Sequence, residues 1–176
     1  MSAAKNFFAG LGILLVPFIS IMALVLLLCI PRFSEFWNLL RIAPFYAGIY
    51  FWQSQRPDAF NSITAFLLGI FADILGAAPL GVNIITFLVF YAISQHLSSY
   101  FNIKKFAYSW LLFIFAALAT ELFKGLLVSI FYRTLIPFKP LIFEFLLISA
   151  LYPLFTRFYI WIERRFIHLE ERYEKI

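Results

Sequence analysis

Five polar or ionisable residues interrupt otherwise apolar runs of this sequence: Asp73, Asn83, Glu121, Lys124 and Glu144. Two carboxylates held near each other are the parts of a general acid–base pair, and Asp73 with Glu121 is the pair to weigh. Neither stands in a recognisable catalytic motif, and no second Asp falls in an apolar run to complete a dyad. The two histidines, His96 and His168, sit at the opposite ends of their segments from the acidic residues. No HxxxH or HExxH spacing is present, so no metal centre is expected. There is no phosphate-binding loop and no dinucleotide fingerprint, and Ser and Thr are scattered without a partner base. The residue types point away from catalysis and away from a cofactor. What remains is pairing: Lys124 lies three residues after Glu121, on the same face of a helix.

The background in which these groups sit decides how they are read. Of 176 residues, 64% are hydrophobic and only 13% are charged, with a mean hydropathy of +0.92. Soluble domains average about 45–50% apolar and about 25% charged, so a water-soluble globule is excluded. A transmembrane helix takes about 20 apolar residues, and the apolar length here supplies five or six, leaving no room for a soluble catalytic domain. The predicted fold is an all-α integral membrane protein, a six-transmembrane-helix bundle over residues 1–162, followed by an amphipathic tail over 163–176. The formal charge of +5 belongs to span ends rather than to a nucleic-acid surface. The single cysteine, Cys29, lies in an apolar run and is expected to be a buried small hydrophobe.

The spans are placed at 7–30, between Arg41 and Arg56, and at about 59–75, 80–100, 106–131 and 141–161. An interfacial segment with Trp37 occupies 33–41. The second span is short, with about 14 uncharged residues giving roughly 21 Å. Lys and Arg in the connections set the orientation. Lys5, Arg56, Lys104, Lys105, Arg164, Arg165, Arg172 and Lys175 fall on one side, and Arg32, Arg41, Arg133 and Lys139 on the other. The positive-inside bias puts both termini in the cytoplasm. All five intramembrane polar groups then lie in the outer half of the membrane. Ionisable groups in hydrocarbon cost about 2.5–3.5 kcal/mol each on insertion scales and face a bundle interior. They are therefore expected to form one outward-facing cluster or partner-binding seam, with Lys124 serving both Glu121 and Asp73. The alternative is that each is satisfied separately, Lys124 by Glu121 and Glu144 by water near the interface.

Glycines bracket Asp73. Gly69 is four residues before it, on the same helix face, where a small residue lets a neighbouring helix approach the carboxylate. Gly76, Pro79 and Gly81 form a sharp external hairpin before Asn83. On the short second span, Phe45, Tyr46, Tyr50, Phe51 and Trp52 make a dense aromatic stretch. With 24 Phe, 9 Tyr and 4 Trp not every ring fits a core, so Tyr50, Phe51 and Trp52 are expected on the surface, against lipid or a partner helix.

The chain resembles the rod shape-determining MreD family over most of its length. The resemblance rests on Tyr50-Phe51-Trp52 followed by Arg56-Pro57, on Gly69-x-x-x-Asp73, on Pro79-Leu80-Gly81 with Asn83, and on Pro153 before a basic end with Arg164-Arg165. The chain departs from the family where Gly commonly follows the Asp by four residues, having Ala77 with Gly76 just before it. The resemblance implies a six-span protein of the bacterial inner membrane, part of the cell-elongation machinery. Its implied partners are an MreC-type single-span protein, RodA with its penicillin-binding transpeptidase, membrane lipid and, indirectly, MreB filaments. It also implies a fold similar to the substrate-binding subunits of energy-coupling-factor transporters. The expected function is a non-catalytic scaffold for peptidoglycan synthesis in rod-shape maintenance. A solute-binding subunit of an energy-coupling-factor-type transporter is the alternative, and an intramembrane enzyme a distant third.

Overall fold

A computed structural model describes residues 2–28, 40–76, 79–100, 106–133 and 138–174. Cys29, most of the interfacial segment and Ala77 lie outside the described residues. Those described fold as helices with no strand: α1 (Ser2–Leu28), α2 (Ala43–Gln55), α3 (Ser62–Leu75), α4 (Val82–Tyr100), α5 (Phe106–Tyr132) and α6 (Phe138–Glu174). Two stretches, Phe106–Tyr132 and Lys139–Arg165, are long and apolar enough to cross a membrane. Leu15–Leu28, Ser62–Leu75 and Val82–Ser98 are shorter apolar helices.

The centre of the fold is the shortest of these described helices. α2 opens with Pro44 in its first turn, where a missing N–H is no loss, and closes when Arg56 N–H donates to Trp52 O at 2.8 Å. It carries no polar face, and a helix apolar all round is one enclosed on all sides. Residues 43–53 are accordingly all buried, with α1, α4 and α6 packed around them. Tyr50, Phe51 and Trp52 are 0%, 3% and 3% exposed, which overturns the expected aromatic surface: these rings are core. Tyr50 meets Phe113 and Tyr152 edge-on at 5.5 and 5.8 Å between ring centres, and Phe51 stacks on Tyr159 at 5.7 Å. Trp52 Nε1–H donates to Ser20 Oγ of α1 at 3.0 Å, so its one polar atom is satisfied inside the core. Tyr159 O–H likewise donates to Pro44 O at 2.9 Å and ties α6 to the start of α2.

The outside is apolar instead. On α5, Leu111, Phe115, Leu122, Leu126 and Ile130 are exposed, the last at 74%, and on α6 so are Ile142, Leu146, Leu154 and Trp161. Soluble monomers rarely expose contiguous apolar surface on this scale. The opposite face of α5 is buried and holds Ala116, Ala117, Thr120, Glu121, Lys124 and Gly125. Leu112 and Phe113 extend this buried face toward the start of the helix, so the polar residues of α5 face in beside small and large apolar ones, while the outward face is apolar.

α6 also departs from expectation. It does not end at 162: the helix runs through Pro153 and on to Glu174. No Gly or Pro follows Pro153 to stop it. The step in composition at Glu163 changes the charge along one helix and does not start a separate element.

Candidate functional site: a capped hairpin and a buried ionic cluster

The α3–α4 hairpin is built around Asp73. α3 begins at Asn61, whose side chain accepts from Thr64 N–H at 3.0 Å, an N-cap that satisfies one of the unpaired amides of the first turn. It ends at Gly76, whose N–H donates to Ala72 O at 2.8 Å. The chain reverses through Pro79 and Leu80 to Gly81, which has φ +101°, a conformation that L side chains rarely adopt. Asp73, 4% exposed, reaches from the last turn of α3 to the start of α4. Its Oδ2 accepts from Gly81 N–H at 2.7 Å and its Oδ1 from Asn83 N–H at 3.0 Å. Both donors belong to the helix start, where N–H groups have no intrahelical partner and the dipole favours an anion. Asp73 therefore caps a helix that is not its own.

Gly69 makes that reach possible. A Cβ placed there would lie 2.5 Å from Ile84 Cα, 3.0 Å from Ile84 N and 3.2 Å from Asn83 O, all backbone atoms of α4. The two helices touch main chain to main chain one turn before Asp73, and the expected role of Gly69 as the residue of close approach holds. At the other side of the hairpin, Arg41 Nη1 donates to Leu75 O at 3.4 Å, at the C-terminal end of α3.

The second polar group lies between α2, α5 and α6. Lys124 Nζ hydrogen-bonds and ion-pairs with Glu144 Oε1, and is 3.9 Å from Glu121 Oε2 one turn earlier on α5. Tyr46 O–H of α2 donates to Glu121 Oε1 at 2.6 Å. Glu121, Lys124 and Glu144 are 2%, 8% and 7% exposed. The groups join three helices, and α4 closes the wall with Phe87 and Phe90, whose rings lie 5.6 and 4.7 Å from that of Tyr46. Gly125 lets α5 and α6 approach beside the ion pair: a Cβ there would lie 2.7 Å from Leu141 Cδ1.

The five residues singled out in the sequence thus sort into two groups rather than one. Asp73 and Asn83 meet through a backbone amide in the hairpin. Glu121, Lys124 and Glu144 meet through side chains in the bundle. The expected sharing of Lys124 between Glu121 and Asp73 does not form, because both Asp73 oxygens accept backbone amides and Lys124 turns to Glu144. Glu144 does not reach water: it is buried against Lys124. Tyr46 is the member that sequence reasoning missed. Its signal was a phenol in a helix without a polar face, since a buried Tyr O–H needs an acceptor. Chemically, the hairpin is an anion-to-amide cap and the cluster a buried ionic tie. Among the described residues, no three of His, Cys, Asp and Glu converge as a metal site would require.

Comparison with family models, with curated proteins and with solved structures returns no match to this chain.

Proposed function

We propose that the chain is a non-catalytic scaffold of the bacterial inner membrane, of MreD type, crossing the bilayer six times with both termini in the cytoplasm. In this reading it binds an MreC-type single-span partner and helps to position RodA and its transpeptidase, with MreB filaments engaged indirectly. The observation that carries the reading is the hairpin. Gly69, Asp73 and Gly81, on which the resemblance chiefly rests, act with the backbone amide of Asn83 as one structural unit: close approach, cap and turn. The exposed apolar faces of α5 and α6 suit contact with lipid and with a partner's helix.

The commitment of the polar groups favours this reading over a solute-binding transporter subunit. Asp73 uses both oxygens on backbone amides, and Lys124 is engaged by two carboxylates of its own chain. A recognition site for a solute instead presents a few convergent polar groups to a ligand. Gentle detergent extraction of the tagged chain from its own membranes separates the two. The scaffold reading expects a stoichiometric single-span protein to co-purify. A small molecule retained at one per chain, with no such protein, would replace it with the transporter reading.

A further inference from the structure

The charge in the buried cluster does not balance. Two carboxylates, Glu121 and Glu144, face one ammonium, Lys124, and all three are nine-tenths or more removed from solvent. The contacts are unequal. Lys124 is in direct hydrogen-bond contact with Glu144, which makes a neutral pair, while Glu121 stands 3.9 Å from the ammonium. One oxygen of Glu121 accepts from Tyr46 O–H at 2.6 Å. The other, Oε2, is buried and takes part in no hydrogen bond. The groups acting on Glu121 are Lys124 of its own helix, Glu144 of α6 and Tyr46 of α2; α4 contributes the apolar rings of Phe87 and Phe90 on Tyr46. No second cation compensates among them.

A surplus negative charge in such a place is costly even after relaxation, because the lost hydration is repaid only by a well-placed partner. A neutral O–H group without an acceptor forgoes only a hydrogen bond. Neutralising the carboxylate is the smaller penalty. We propose that the Glu121–Lys124–Glu144 cluster is a proton-binding site that holds one proton, on Oε2 of Glu121. The step is a simple uptake: an O–H bond forms on Glu121, the proton comes from water, and the compensating negative charge stays in the bulk buffer. The bundle core then carries Tyr46, a neutral Glu121 and a neutral Lys124–Glu144 pair. This inference stands on the cluster alone and does not depend on the scaffold reading.

Infrared difference spectroscopy of the purified protein in lipid tests it, read at the C=O stretch of protonated carboxylic acids. Wild type minus Glu121→Gln is expected to show one such band, moved by exchange into D2O. Glu144→Gln is expected to lose the band as well, because Lys124 then has Glu121 as its sole counter-ion and Glu121 ionises. Tyr46→Phe, which removes only a hydroxyl, is expected to keep the band but shift its frequency, since the phenol donates to the same carboxyl. Circular dichroism and a monodisperse elution profile establish that each variant compared is folded. A wild-type spectrum with no band that Glu121→Gln removes would overturn the proposal, as would a band that survives Glu144→Gln. A band indifferent to Tyr46→Phe would place the proton elsewhere and overturn the assignment to Glu121.

Discussion

Replacing Lys124 by Met is the substitution that separates an ionic tie from a set of independent polar residues. Met matches the length and apolar body of the Lys stem, so packing changes little and the ammonium is what is removed. In its absence Glu144, 7% exposed, loses its hydrogen-bonded partner, and the ammonium 3.9 Å from Glu121 is gone as well. Breaking a buried pair by deleting one member costs about 3–5 kcal/mol, because the remaining charge is left uncompensated. At 1.4 kcal/mol per factor of ten, that lowers the folded-to-unfolded ratio by about two to nearly four decades. The same principle supplies a control. Exchanging the whole pair for apolar residues, as in Lys124→Met with Glu144→Leu, is expected to recover much of the loss, since a well-packed apolar substitute is often neutral. Reversible unfolding in mixed micelles, followed by Trp fluorescence, reads the difference. A Lys124→Met protein within about 1 kcal/mol of wild type, the size of a solvent-exposed pair, would refute the claim that the cluster holds α2, α5 and α6 together.

Further outcomes follow from the hairpin and the proposed topology. Gly69→Ala is expected to destabilise by about 1–3 kcal/mol, the usual range for overpacking, because the new methyl meets the α4 main chain at Ile84 rather than a side chain that can turn away; the same unfolding assay measures it. Asp73→Leu abolishes two amide bonds to a charged acceptor, worth about 1.5–3 kcal/mol each, whereas Asp73→Asn keeps one carbonyl acceptor and is expected to lose about half as much. Equal losses in the two variants would show that the carboxylate is not the cap. Reporter fusions made after Lys105 and at Ile176 are expected to read as cytoplasmic, and one after Ala78 as external; an external C-terminus would contradict the six-span topology.

What was legible in the sequence was local. Gly69, Asp73, Gly81 and Asn83 lie within one hairpin, so helix periodicity and turn chemistry suffice to put them together. Glu121 and Lys124 share a face by the same rule. Lys124 and Glu144 are 20 residues apart on different helices, and their meeting depends on how α5 and α6 rotate about their axes, which no spacing along one helix reveals. The link from Pro44 to Tyr159 spans 115 residues and is equally a product of assembly. The aromatic stretch at Tyr50, Phe51 and Trp52 was misjudged for a different reason. Richness in rings suggests a surplus over the core, although a 13-residue helix with no polar face is the natural occupant of the centre. The tail was set apart by its charge, yet charged residues such as Glu and Arg are good helix formers, and α6 continues through them.

The central claim, that the chain is a structural component of the cell-elongation machinery, is tested most directly by cell shape. In a rod-shaped bacterium carrying this chain, depletion of the protein is expected to turn rods into spheres. Re-expression of wild type is expected to restore the rods, and re-expression at equal membrane level of Asp73→Leu is expected not to. Cells that keep their width and length after complete depletion would contradict the claim.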